Sequence, residues 1–246
     1  MKKSVISAAL LATATLTSAA ASAQELSVKI TNLTNGTYFT PVLVAAHSSS
    51  VDLFELGMPA TMHLRMMAEG GNLAGLVSDV ANAGANYVAN PASGLLAPGA
   101  STTAMVGAIT PMNDRLSITA MMIPTNDGFV GADSFAIPKK PGTYTYYLNA
   151  YDAGTEVNDE IITGGGAPGV PGIPGAPGGN GGTGATGVVM TEFNHTVHIH
   201  PGIVGDLNPT GGVSDLNPAI HQWQNPVAKV EIIVGKKMKG SERDDD

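Results

Sequence analysis

The sequence contains no cysteine, so no disulfide can brace the chain, and its fold must rest on a packed core or on metal. Charged residues are sparse, at 13%. The formal net charge is −8, and the C-terminal tail balances itself, with Lys236, Lys237, Lys239 and Arg243 standing against Glu242, Asp244, Asp245 and Asp246. The acidity therefore belongs to the body, which argues against nucleic acid and anionic membrane as partners. Catalytic signatures are also missing: there is no His-Glu-x-x-His, no Gly-x-Ser-x-Gly and no phosphate-cradling glycine loop. No apolar run reaches the ~20 strongly apolar residues of a membrane span, so membrane insertion is not expected.

What is present begins with a secretory pattern. Met1-Lys2-Lys3 precedes a largely apolar stretch from Val5 to about Ala21, and Ala21-Ser22-Ala23 supplies the small residues that a signal peptidase accepts. Residues 1–23 are thus expected to be a signal peptide. The mature chain would begin at Gln24 with a formal net charge of −10, Lys2 and Lys3 having been removed. It is expected in the periplasm or outside the cell.

With 31 glycines and 16 prolines, the body should consist of short elements and many turns. Leu26, Val28 and Ile30 alternate with Ser27, Lys29 and Thr31, which predicts a half-buried strand, and Ala228, Val230, Ile232 and Val234 repeat the pattern. Tyr38–Ala46, Leu116–Ile123, Gly142–Tyr151 and Val188–His200 are rich in β-branched or aromatic residues and bounded by Gly, Pro or Asn, as strands are. Their spacing predicts an all-β antiparallel sandwich.

Two segments read differently. Leu73, Leu76, Val77, Val80 and Ala81 fall on one helical face, and a second short helix is expected over Ala60–Glu69, after Pro59. The pair forms a helical insertion against the sheets. Met62, Met66 and Met67 beside His63 read as core-filling residues in preference to a thioether copper site. From Gly166 to Gly187 glycine recurs at every third position, with Pro168, Pro171, Pro174 and Pro177 in the first four triplets. That is the collagen period, but the run is too short and too poor in proline at its end for a triple helix. An extended polyproline-type loop between two strands is expected, and a monomer.

The run from Arg115 through Pro124-Thr-Asn-Asp127-Gly-Phe-Val-Gly131 to Ser134, followed by Tyr151-Asp-Ala-Gly-Thr-Glu156, resembles the spondin N-terminal domain of F-spondin, mindin and many exported bacterial proteins. Phe39–His47 and His198–Ile203 look like the bacterial branch. The resemblance covers most of residues 24–235, leaving 236–246 as a charged tail. It implies a C2-like β-sandwich, an extracellular adhesion or matrix role, no enzymatic activity and a bound calcium. Its calcium carboxylates fall on Asp127, Asp152 and Glu156, the last at a position usually held by Asp.

The residues themselves agree with that ligand set. Asp127 lies in a turn by composition, Asp152 closes a predicted strand, and Gly154 keeps Glu156 off any helix. Two adjacent strand-end loops can gather three carboxylates, with backbone carbonyls completing the six to eight oxygens that calcium takes. The same composition also fits two turn-capping aspartates and a solvated glutamate. Asn126, Asp133, Asn158, Asp159 and Glu160 are further oxygen donors nearby. A competing constellation is His195, His198 and His200, where His198 and His200 share a strand face and could start a zinc, copper or iron site in an exported metalloenzyme. The leading reading is a calcium-binding, non-catalytic module for an extracellular protein or glycan ligand.

Overall fold

The computed structural model describes residues 23–179, 181–189 and 193–237. The predicted signal, apart from Ala23, and the tail beyond Lys237 lie outside the described residues. The chain forms β1 (Gln24–Asn32), β2 (Tyr38–Phe39), β3 (Leu43–His47), α1 (Met62–Gly70), α2 (Ala74–Asn82), β4 (Asn86–Ala89), β5 (Ser101–Ile109) and β6 (Arg115–Ile123). There follow β7 (Gly128–Ala136), β8 (Gly142–Asp152), β9 (His198–Ile199), α3 (Pro218–His221) and β10 (Ala228–Lys237). The architecture is all-β and antiparallel. The strand order is β4-β3-β6-β7-β8-β10-β1-β5, with β2 added to β6 and β9 to β8. The strands at the two ends of this path, β4 and β5, lie beside one another, so the sheet nearly closes on itself.

The alternation in β1 and β10 has the expected cause. Leu26, Val28 and Ile30 point inward with Val230, Ile232 and Val234, and they pack against Val44, Ile118, Met122, Val130 and Leu148 from the facing half of the sheet. β3 and β6 are buried on both faces, because their outward residues Leu43, Ala45 and Met121 meet Leu64, Met67, Leu76 and Val80 of the two helices. Tyr38–Ala46 is not one strand but two, broken at residues 40–42. Thr61 caps α1 by accepting from the Leu64 N–H, and Gly71 ends it in the left-handed conformation at φ 68°. Met67 is fully buried while Met62 is 61% exposed, so the methionines do not converge on a copper ion. The helices thus cover the outer face of this half of the sheet. Leu64→Ala, which empties a fully buried position, should lower unfolding free energy by about 2–5 kcal/mol in urea melts.

Two expectations need correction. Among the described residues of Val188–His200, only His198–Ile199 is strand, because the preceding residues form a loop over the sheet end. The glycine-rich segment is not an extended polyproline helix either. Gly166, Gly169 and Gly172 adopt φ of 95°, 78° and 106°, opposite in sign to the φ of about −75° that such a helix needs. The segment turns back on the domain and buries Ile173 completely against Ile203 and Leu216.

Candidate metal site

Asp127 ends the turn between β6 and β7, and Asp152 is the last residue of β8. Antiparallel pairing sets Gly128 opposite Asp152, so the two aspartates meet at one sheet end. Glycine is required on both sides of this meeting. A Cβ on Gly128 would stand 2.9 Å from the His200 ring, and Gly154, at φ 68°, lies so close to Thr196 that a Cβ would come within 2.6 Å of its backbone nitrogen.

Asp127 and Asp152 are 0% and 1% exposed and Glu156 is 6% exposed; none of the three is solvated. Asp127 Oδ2 accepts from the Thr155 N–H at 2.7 Å, the Thr155 hydroxyl at 3.1 Å and the Glu156 N–H at 3.0 Å, while Oδ1 has no partner. Asp152 accepts from the Gly154 N–H at 2.7 Å and the Asn158 side chain at 2.6 Å. Glu156 Oε2 accepts from the Gly172 N–H at 3.1 Å, and Oε1 is again unpartnered. Burial pushes the Asp127 carboxyl up to about 7, and the neighbouring Asp152 adds to the rise. Burial likewise lifts Glu156 to about 7, with Glu69 and Asp127 contributing by repulsion. Each group is short of positive charge.

The cluster extends to residues that local sequence did not single out. Glu69 at the end of α1 is 0% exposed, bonded to Arg65 at 2.6 Å and to the Gly169 N–H at 2.7 Å. The Arg65/Glu69 spacing of four was the only local sign that this acid turns inward. The three-residue period thus presents the amides of Gly169 and Gly172 to two buried carboxylates. Of the other oxygen donors, Asn158 joins Asp152, and Asn126 pairs with Asp159. Glu160 instead fastens Val204, Gly205 and Ser214. Asp133 lies further along β7, in a buried chain with His47 and Ser117. His47 Nε2 is 2.7 Å from the Ser117 hydroxyl, which lies 3.1 Å from Asp133 Oδ1. Ser117 is fully buried, so this chain fastens strands and offers no hydroxyl to a substrate.

The histidines do not form a ready pair of ligands. The Gly202 N–H donates to His200 Nδ1 at 3.0 Å, which leaves the proton on Nε2, an atom that is buried and unpartnered. Burial lowers the His200 pKa to about 4 despite the pull of Asp152. His198 has the opposite tautomer: its Nδ1 faces the Thr196 carbonyl at 2.7 Å and its Nε2 lies 3.8 Å from Asp152. His195 stacks edge-on with Phe193. Among the described residues, no three His, Asp or Glu side chains are gathered tightly enough to ring a metal ion as they stand. What fits a hard cation is the donor chemistry: two buried, unpartnered carboxylate oxygens beside a third carboxylate.

A nearly closed antiparallel sheet with a carboxylate cluster between the β6–β7 turn and the end of β8 defines a β-sandwich module with an acidic loop edge. The Spondin_N family model matches residues 31–160, and the chain belongs to the spondin N-terminal family. The match contains Asp127, Asp152 and Glu156 and stops before the glycine-rich segment and β10. No curated protein matches the chain. No helix among the described residues is long and apolar enough to cross a membrane.

Proposed function

We propose that this chain is an exported, non-catalytic binding module of the adhesion or matrix type, with a loop edge organised by calcium held by Asp127, Asp152 and Glu156. The supporting observation is the pair of buried, unpartnered oxygens, Asp127 Oδ1 and Glu156 Oε1. A fold that buries such groups beside Asp152 with no cation nearby carries repulsion that a divalent ion relieves. Calcium suits the donors because it accepts irregular oxygen shells, with backbone carbonyls and water completing its coordination. Family membership favours an extracellular setting, as does the secretory pattern of residues 1–23. Transition-metal chemistry is disfavoured by the His200 tautomer, whose buried Nε2 carries the proton and so offers no lone pair.

Elemental analysis of the mature protein after equilibrium dialysis against about 1 mM calcium should find about one calcium per chain in excess of the dialysate. Stoichiometric zinc, copper or iron would sink this reading in favour of a metalloenzyme built on His198.

A further inference from the structure

A cleft of about 760 Å³ lies beyond the carboxylate cluster, within the volume range of ligand sites. One wall is the turn after β1 with Ala97 and Pro98; the other is the glycine-rich segment and the loop leading into α3. Its chemistry is one-sided. Asp206 and Asp215 both line it, and no Lys or Arg does. The amides of Ser214, Asn208 and Val213 hold Asp206 below the usual carboxylate range. Burial alone would raise Asp215, but the amides of Ile162, Thr183 and Ala185 and the Thr183 hydroxyl outweigh it and lower the group. Both carboxylates are therefore anionic at neutral pH. His221 adds no positive charge, since burial depresses its pKa. The rim is apolar, with Leu207 72% and Ile220 46% exposed.

We propose that this cleft is the partner site of the module and takes an extended peptide segment carrying Lys or Arg. A long cationic side chain lays its methylenes on Leu207, Ile220 and Pro98 while its head meets Asp206 and Asp215. An anionic ligand is repelled, and a neutral glycan finds only Tyr38 as an aromatic platform among the lining residues.

This inference rests on the reading of the chain as a binding module, and the test separates the two. Octalysine, octaglutamate and chitohexaose are titrated into the mature protein by calorimetry, with calcium and with chelator, alongside a calcium melting assay. Octalysine should bind and the other two should not. Asp206→Asn should weaken octalysine by roughly threefold, the scale of an exposed ion pair. Ala97→Arg should weaken it further, and Asp52→Asn, which removes an exposed acid outside the cleft, should leave it unchanged. Equal octalysine affinity in wild type, Asp206→Asn and Ala97→Arg would overturn the cleft assignment, as would chitohexaose binding without octalysine binding. Either result with the calcium melting shift intact discards the cleft alone; loss of that shift discards the calcium-organised module.

Discussion

Calcium added to chelator-treated protein should raise its melting temperature by several degrees. The proposed ligands come together only where the β6–β7 turn meets the end of β8, so an ion held by them stabilises the folded state alone. If the dissociation constant is about 10⁻⁴ M, as in many extracellular modules, about 10 mM calcium is a hundredfold excess and adds ~2.7 kcal/mol. In a domain of this size that corresponds to several degrees. Magnesium should do less, because it holds a tighter octahedral shell and releases water reluctantly. Asp152→Asn should abolish most of the shift, deleting a charge with little change of shape. Glu156→Gln should remove less, since its longer side chain gives up more rotamer freedom in holding the ion. Identical melting with and without calcium, in wild type and in both variants, is the outcome that refutes the assignment.

The metal-free protein should lose stability as pH rises from 4 to 7, the reverse of the usual carboxylate behaviour. Asp127 and Glu156 both titrate near 7 in the folded chain, against about 4 when unfolded. Below pH 4 both states are protonated and the groups contribute nothing. As pH climbs, the unfolded chain ionises first and becomes relatively more stable, until the folded groups ionise near 7. Each carboxyl, raised from about 4 to about 7, should cost about 4 kcal/mol. His200, held near 4 against about 6.5 unfolded, returns about 3, so the net loss should be about 5 kcal/mol, read from denaturant melts in chelator. Calcium should flatten the profile by accepting the ionised forms. Asp127→Asn keeps an oxygen for the Thr155 and Glu156 amides while removing the charge, so the metal-free variant should be more stable than wild type at pH 8 and indifferent to calcium. A metal-free wild type that gains stability from pH 4 to 7 contradicts this account.

The sequence displayed those parts of the fold where one face is wet. β1 and β10 alternate because their outward residues meet solvent, and the face of α2 is legible for the same reason. β7 was not recognised: its first five residues are all buried, so Gly128-Phe-Val-Gly-Ala132 shows no alternation. β5 was obscured by Met105, which points outward at 70% exposure. Val188–His200 erred in the other direction, since β-branched content alone does not supply a partner strand. At the site, Asp127 and Asp152 were legible as strand-end acids on adjoining loops. Burial of Glu156 was not, because it depends on Gly172 folding back, and the inward turn of Glu69 depends on Gly169, a hundred positions away.

The pairing of β1 with β10 sets the order in which this protein can assemble. The first strand lies between the last strand and β5, so the seam joins residues near 30 to residues near 230, and such long-range pairing is slow to form. Until Ala228–Lys237 is available, β1 lacks one neighbour, β8 lacks another, and the core between the two halves of the sheet stays open. A chain interrupted before residue 228 cannot complete the fold.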